Sequence, residues 1–169
     1  MKGFGVELIP LCETHLEMVR LWRIDSEVAQ FMEFQSHIDE QAQQTWFLNL
    51  QNAHYFVIFK DSIPVGLINL KDVDLKNGTA ESGLLIGDTA FRGTGVALGA
   101  SILLLDFAFE QLGLKSVTAK MNRHHTDAIS YNQFLGFHFD RELSETFQLW
   151  VLTKENYQRK RANLVKILG

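Results

Sequence analysis

Between residues 55 and 112 the hydrophobic period of the chain changes from two to helical, and that change restricts the fold more than any other feature. Residues 55–59, Tyr-Phe-Val-Ile-Phe, are β-rich, a turn follows at Lys60-Asp61-Ser62, and a second run covers 64–73. Asn77-Gly78 then leads into a third run over 79–86. Asn-Gly between alternating runs is the strongest short hairpin signal, because both residues can take positive φ. Three successive antiparallel strands are predicted. After a glycine-bearing loop, 87–95, residues 96–112 carry apolar side chains on nearly every helical face. Polar Asp106, Glu110 and Gln111 come only late, and Gly113 is placed to cap the helix.

The flanking segments fit around this centre. Residues 6–11 predict a first strand. Leu16, Val19 and Leu21-Trp22 recur at helical spacing over 14–22. A short helix is predicted over 26–32 with Ser26 as N-cap. A third runs from Asp39 to about Leu50, with Trp46, Phe47 and Leu50 as its apolar face. Beyond Gly113 the pattern gives a strand at 116–121, a helix at 127–135 capped by Gly136, a closing pair of strands at 137–143 and 147–152, and a basic helical tail from Lys154. No repeat or Gly/Ser/Pro-rich linker divides the chain, so residues 1–169 are read as one domain. The fold class is α+β, a mixed, mostly antiparallel sheet with helices on both faces.

Composition narrows the partners. The net charge is −4, and basic residues cluster only at Arg159-Lys160-Arg161 with Lys166. That is the pattern of a solvated helix face, not of a nucleic-acid-binding stripe. Cys12 is the sole cysteine, so no intrachain disulfide can form, which fits a reducing compartment. The start, Met1-Lys2-Gly3-Phe4-Gly5, lacks a secretory apolar run, and the apolar stretch around 102–105 is too short to span a bilayer. A cytoplasmic location without membrane association is expected. The 13 phenylalanines predict an aromatic-rich core.

Chemistry concentrates in Arg92-Gly93-Thr94-Gly95-Val96-Ala97, between a strand and the long helix. The free N–H groups and positive dipole end of a helix N-terminus make an anion site. Glycines let backbone close on a phosphate, and an arginine fork suits its oxygens. A plain tight turn is the competing reading. A Walker loop is excluded because the Gly-Lys-Ser/Thr ending is absent. A dinucleotide fingerprint is excluded because the segment follows an antiparallel meander.

Arg92-x-x-Gly95-x-Ala97 resembles the Q/R-x-x-G-x-G/A pyrophosphate motif of the GNAT acetyltransferases. Residues 80–88, Ala-Glu-Ser-Gly-Leu-Leu-Ile-Gly-Asp, resemble that family's fourth strand and the loop after it. Phe107-Ala108-Phe109 with Leu112 and Leu114, and Ala128-Ile129 with Leu135-Gly136-Phe137, resemble the ends of its third and fourth helices. Leu21-Trp22-Arg23, Val28, Met32 and Trp46 resemble the branch of ribosomal-protein and nucleotide amino-sugar N-acetyltransferases. The resemblance spans about residues 6–152.

The resemblance implies a GNAT-like fold in which acetyl-CoA lies in a gap between the fourth and fifth strands and an amine attacks the thioester directly, with no acyl-enzyme. Its pyrophosphate is expected on Arg92, Gly93, Thr94, Gly95, Val96 and Ala97, and its pantetheine arm along Leu85, Ile86 and Gly87. Asn122, His125 and Asn132 are further cofactor-side candidates. Glu81 matches the strand glutamate that acts as base in this branch, and on a partly dry floor its carboxyl is expected to titrate nearer working pH. A solvated strand residue is the alternative. A backbone N–H near Ile86 is the natural oxyanion donor. The family tyrosine that protonates the thiolate aligns with Asn132, one residue past Tyr131, and one residue is about 100° on a helix. The acid is therefore open between Tyr131, His125 and solvent, with Tyr131 preferred.

For the acceptor, Trp22, Arg23, Glu33, Phe34 and Trp46 are candidates. Core packing is the alternative for both tryptophans, and an ion pair to Asp25 or Glu27 the alternative for Arg23. The acceptor implied first is a nucleotide-linked amino sugar, then a protein N-terminal amine, then a polyamine. A non-catalytic CoA-binding or interaction domain is the rival of another class. Family habit implies a homodimer. Adjacent His124-His125 point apart on a regular element and lack further ligands, so no metal is expected. Cys12 has no identifiable base and is not read as a nucleophile.

Overall fold

The computed structural model describes residues 1–33 and 37–169. Strands β1 (Lys2–Gly3) and β2 (Val6–Pro10) are followed by helices α1 (Leu16–Ile24), α2 (Ser26–Ala29) and α3 (Glu40–Leu48). The meander is β3 (His54–Lys60), β4 (Ile63–Asp74) and β5 (Thr79–Ile86). Then come α4 (Val96–Asp106), β6 (Ser116–Asn122), α5 (Thr126–Leu135), β7 (His138–Glu142), β8 (Phe147–Thr153) and α6 (Lys154–Ile167). The eight strands form one sheet in the order β1-β2-β3-β4-β5-β6-β8-β7. Every neighbouring pair is antiparallel except β5–β6.

That parallel pair is short. It joins Thr79 to Ser116, Ala80 to Val117 and Glu81 to Thr118, and then stops. β5 continues to Ile86 along β4, while β6 continues to Asn122 along β8. The sheet therefore splits. Side chains bind the vertex where backbone pairing ends: Ser82 Oγ donates to the Thr118 carbonyl at 3.2 Å, and Thr118 Oγ1 to the Ala80 carbonyl at 3.3 Å.

α4 forms because 96–106 is apolar all round, and such a helix must be enclosed. Eight of its eleven residues are buried. It packs on β1, β2 and β4 and against α6. Strand alternation splits the core between two faces. Phe56, Ile58, Ile68 and Leu70 join the α4 side, while Val57 and Leu67 meet Val19 of α1 on the other.

Several sequence expectations need correction. The N-cap of α2 is Asp25, whose carboxylate accepts from the Glu27 N–H at 2.9 Å; Ser26 is already helical. α3 ends at Leu48, and its one buried residue is Gln43 rather than the Trp46, Phe47 and Leu50 set. The long helix changes at Phe107 into a π-helical turn over Phe107–Gln111, before Gly113 at φ 68°. At Asn77-Gly78 only the glycine takes positive φ; the doubly positive turn is Asp61-Ser62, at 49° and 66°. The core is mostly aliphatic, with five buried rings among the described residues: Phe56, Phe109, Phe137, Trp150 and Tyr157. α4 turns Gly99, Ala100 and Ser101 inward and lies close to the N-terminal turn: a Cβ on Gly99 would come within 2.7 Å of the Phe4 carbonyl oxygen. Phe109 and Tyr157 pack together at 5.4 Å, fully buried, while Phe59 against His15 and Phe107 against His54 sit nearer the surface.

α6 is locked to α4 by Asp106. Its Oδ1 accepts from the Tyr157 hydroxyl at 2.8 Å, and Arg161 grips both oxygens at 2.7 Å. Asp106→Ala leaves the hydroxyl and guanidinium without this acceptor, which costs about 2 kcal/mol. Thermal unfolding followed by circular dichroism should show Tm lowered by about 6 °C. An unchanged Tm would mean that packing of Tyr157 and Leu164 alone holds the helix.

Candidate active site

A cleft of ≈ 1040 Å³ opens from the vertex of the split sheet. Its walls come from the unpaired part of β5, the end of β6, α4 near Ser101, α5, and the segment that follows α1. Gly87 N–H donates to the Val65 carbonyl on β4 at 2.9 Å. By strand alternation Ile86 N–H turns the opposite way, toward the gap.

The glycine loop ends on the first turn of α4. Gly95 is the N-cap at φ 85°, and Gly93 takes φ 74°, a left-handed region that glycine enters freely. The first amides of α4 have no intrahelical acceptors. Arg92 and Gly93 line the cleft. Thr94, Gly95, Val96 and Ala97 lie beyond its wall: Thr94 Oγ1 donates to the Phe91 carbonyl at 2.6 Å, and Val96 is buried. Arg92 is already occupied. Its guanidinium donates to Glu27 at 2.7 Å and to the Ile86 carbonyl at 3.4 Å.

Gly87 has a different task from its neighbours Leu85 and Ile86, which line the cleft. A Cβ there would sit 2.2 Å from ring atoms of Trp22. Trp22 fills the space behind the loop with Val19, Val57 and Leu67, so it belongs to packing and not to the acceptor wall.

Glu81 stands at the vertex with its side chain 14% exposed. The floor is partly dry, as expected from sequence, but two ammonium groups face the carboxylate. Lys71 Nζ lies 3.0 Å from one oxygen and Lys120 Nζ 3.8 Å from the other. Lys120 also reaches Glu33 at 3.4 Å, so lysines and carboxylates alternate up this wall.

The α5 side holds the remaining candidates. Tyr131 lines the cleft, and its hydroxyl shares a 2.7 Å hydrogen bond with Ser101 Oγ on α4. Burial pushes its pKa up to about 12, against a smaller lowering by Ser101. Asn132 is turned back, donating to the Ala128 carbonyl of its own helix at 2.8 Å. Asn122 is buried and accepts from the His124 N–H at 2.9 Å, shaping the turn into α5. His125 is the N-cap of α5: Nδ1 accepts from the Ala128 N–H at 3.2 Å. Burial depresses its pKa, so the ring is neutral at pH 7 and an accepting Nδ1 leaves the proton on Nε2.

At the end of the cleft formed by α1 and α3, Arg23 lies over the Trp46 ring at 4.8 Å and donates to Gln43 Oε1 at 2.8 Å. Neither Asp25 nor Glu27 pairs with it; Glu27 pairs with Arg92. Tyr55 meets Trp46 edge-on at 5.0 Å. Glu33 lines the same cleft, and Phe34 lies outside the described residues. The segment from α2 to Glu33 crosses the cleft mouth with three tethers: Glu27 to Arg92, Phe31 against the His125 ring at 4.0 Å, and Glu33 to Lys120.

The sequence profile of the Acetyltransferase (GNAT) domain matches residues 6–138. The chain belongs to the GNAT acetyltransferase family. It is an acetyl-CoA-dependent N-acetyltransferase by that membership. No curated protein matches it. Among solved structures, the spermidine N-acetyltransferase from Vibrio cholerae in complex with CoA and spermine superposes with a TM-score of 0.84 at 15% identity, over 92% of this chain and 99% of that one. Apo FdhC, described as a nucleotide-linked sugar GNAT, gives 0.83 at 18%, over 100% and 98%. An acetyltransferase from T. thermophilus, its activity not assigned, gives 0.83 at 22%, over 99% and 96%. At these identities the likeness is one of fold. No helix among the described residues is long and apolar enough to cross a membrane.

Sequence reading did not single out Glu27, Gln43, Tyr55, Lys71, Ser101 or Lys120, all of which line the cleft or hold residues that do. All three tyrosines of this transferase are raised, each chiefly by burial. An ultraviolet titration of the native protein should therefore show less phenolate at pH 10.5 than the urea-unfolded chain, in which three groups titrate near 10. The unfolded chain releases these protons first, so stability should fall as pH rises from about 10 toward 12. Phenolate absorbance appearing near pH 10 without unfolding would contradict the burial of these hydroxyls.

Proposed function

We propose that residues 1–169 act as one acetyltransferase domain that moves the acetyl group of acetyl-CoA to a primary amine by direct attack. One observation carries this reading: the strand edge of β5 left free where its pairing with β6 stops, the carboxylate of Glu81 at that point, and Arg92-Gly93 of the loop leading into α4 line one cleft. The pyrophosphate fits the first amides of α4 and Arg92, which then exchanges Glu27 for phosphate oxygens. The pantetheine amides fit the gap-facing edge of β5. The thioester then lies near Ile86 N–H, which suits it as donor to the developing oxyanion.

Glu81 is proposed to take the proton of the attacking ammonium, directly or through a water. Tyr131 is proposed to protonate the leaving thiolate. The phenol is protonated at pH 7, and its hydrogen bond with Ser101 fixes the hydroxyl at the cleft wall. Asn132, spent on its own helix, does not compete for this role.

For the acceptor we propose a nucleotide-linked amino sugar. Arg23 and Trp46 supply a cation on an aromatic face, the pairing that suits an anionic, ring-bearing ligand. FdhC is described as acting in that class. A polyamine is the second reading, favoured by the four carboxylates that line the cleft, Glu27, Glu33, Glu81 and Asp127.

Acetyl-CoA at about 100 times its Kd should stabilise the protein by about 2.7 kcal/mol. In a melting experiment the resulting rise in Tm should be lost in Gly95→Trp. No rise at millimolar acetyl-CoA would refute the cofactor site. Once an acceptor is found, Glu81→Gln should lower kcat about 10-fold or more and alter the pH–rate profile. An unchanged profile removes Glu81 from proton transfer.

A further inference from the structure

We infer that the acceptor amine carries its own anionic group, a carboxylate or a phosphate, and that Arg23, held by Gln43 against Trp46, selects it. This deepens the acetyltransferase reading and rests on it.

The argument is one of charge. Four lysine and arginine side chains line the cleft: Arg23, Lys71, Arg92 and Lys120. Three have a carboxylate within ion-pair reach. Arg92 has Glu27 at 2.7 Å, Lys71 has Glu81 at 3.0 Å and Lys120 has Glu33 at 3.4 Å. Among the described residues no carboxylate comes that close to Arg23, although it is mostly buried and desolvation depresses its pKa. A cation withdrawn from water without a counter-ion is costly, and the cost is recovered when an anion arrives.

The site is also built. Gln43 is 1% exposed, which is unusual for glutamine. Its Nε2 donates to the Leu16 carbonyl at 3.4 Å, and that bond turns Oε1 toward Arg23. One guanidinium edge is thereby committed to Gln43 and one face to Trp46. The rest of the fork serves an oxyanion bidentately. Arg23 and Glu81 line the same cleft, so an acceptor held by one can be presented to the other. A polyamine would instead bring further positive charge to an arginine that has none to offset it.

The test uses the full chain with saturating acetyl-CoA and amines paired by charge: glucosamine against glucosamine 6-phosphate, alaninamide against alanine, and spermidine. The anionic member of at least one pair should have the higher kcat/KM by about 10- to 100-fold. Which pair shows it separates phosphate from carboxylate. In Arg23→Gln that ratio should fall to about one. Gln43→Leu, which keeps Arg23 but not its orientation, should raise KM for the anionic member with little change in kcat. Equal kcat/KM within both pairs of the wild type, or preference for spermidine, overturns the inference. If acetyl-CoA raises Tm but none of these five amines is acetylated, the acceptor lies outside the panel. The anion site is then judged by calorimetric titration with inorganic phosphate at saturating CoA. A saturable heat lost in Arg23→Gln supports it, and no heat in the wild type overturns it.

Discussion

Three residue pairs of parallel sheet, between β5 and β6, determine what this molecule can do. A parallel pair needs a crossover, and here α4 supplies it. The strands part after Glu81, β5 runs on unpaired on that side to Ile86, and the loop from its end leads into α4. The free edge of β5, Glu81 at its base and Arg92-Gly93 ahead of the helix thus line one cleft. Ligand sites at the carboxyl ends of diverging strands follow the same geometry in other α/β sheets. α4 can hold this place only because it is apolar all round and wedged between sheet and α6, with Asp106 fixing the latter.

Around the vertex, polar groups are arranged in matched pairs rather than as isolated charges. Lysine and glutamate alternate from the sheet to the segment after α2, and that segment spans from the glycine loop to α5. The pairs are partly exposed and each contributes little to stability alone. Their effect is positional. Arg92 and Glu27 face one another across the cleft mouth, and any phosphate that engages Arg92 competes with that contact.

The meander, the long helix and the glycine loop were legible because each is a local matter: alternation, all-round hydrophobicity, and glycines ahead of a helix. Glu81, Tyr131, Arg23 and Trp46 were reachable through residue type and spacing, and the structure brings all four to one cleft. Their partners were not. Lys71 lies opposite Glu81, but counting back from a two-residue Asn77-Gly78 turn puts Asp74 there; the loop is two residues longer, since Asp74 already pairs with Thr79, and a bulge between Lys71 and Asp74 shifts the register by one more. Gln43 broke the apolar pattern of α3 by being buried for its hydrogen bonds, which hydrophobic periodicity does not register. Trp22 went the other way. Its sequence context suggested a ligand wall, yet Gly87 leaves a ring-sized space behind the loop that it fills. The cap at Asp25 rather than Ser26 shows the same limit: both residue types cap well, and the extended ψ of 131° at Asp25 settles it.

The split sheet has one more effect. β5 beyond Glu81 is an edge strand lodged in the middle of a sheet, and unpaired edges attract the strands of other chains. Proteins commonly guard their outer edges with charge, bulges or brevity. Here the outer edges are the two-residue β1 and the bulged β7, while the inner one is screened by the tethered segment that runs across its mouth. Whatever keeps this row of amides available for chemistry must also keep it from polymerising, so colloidal behaviour and catalysis draw on the same few residues.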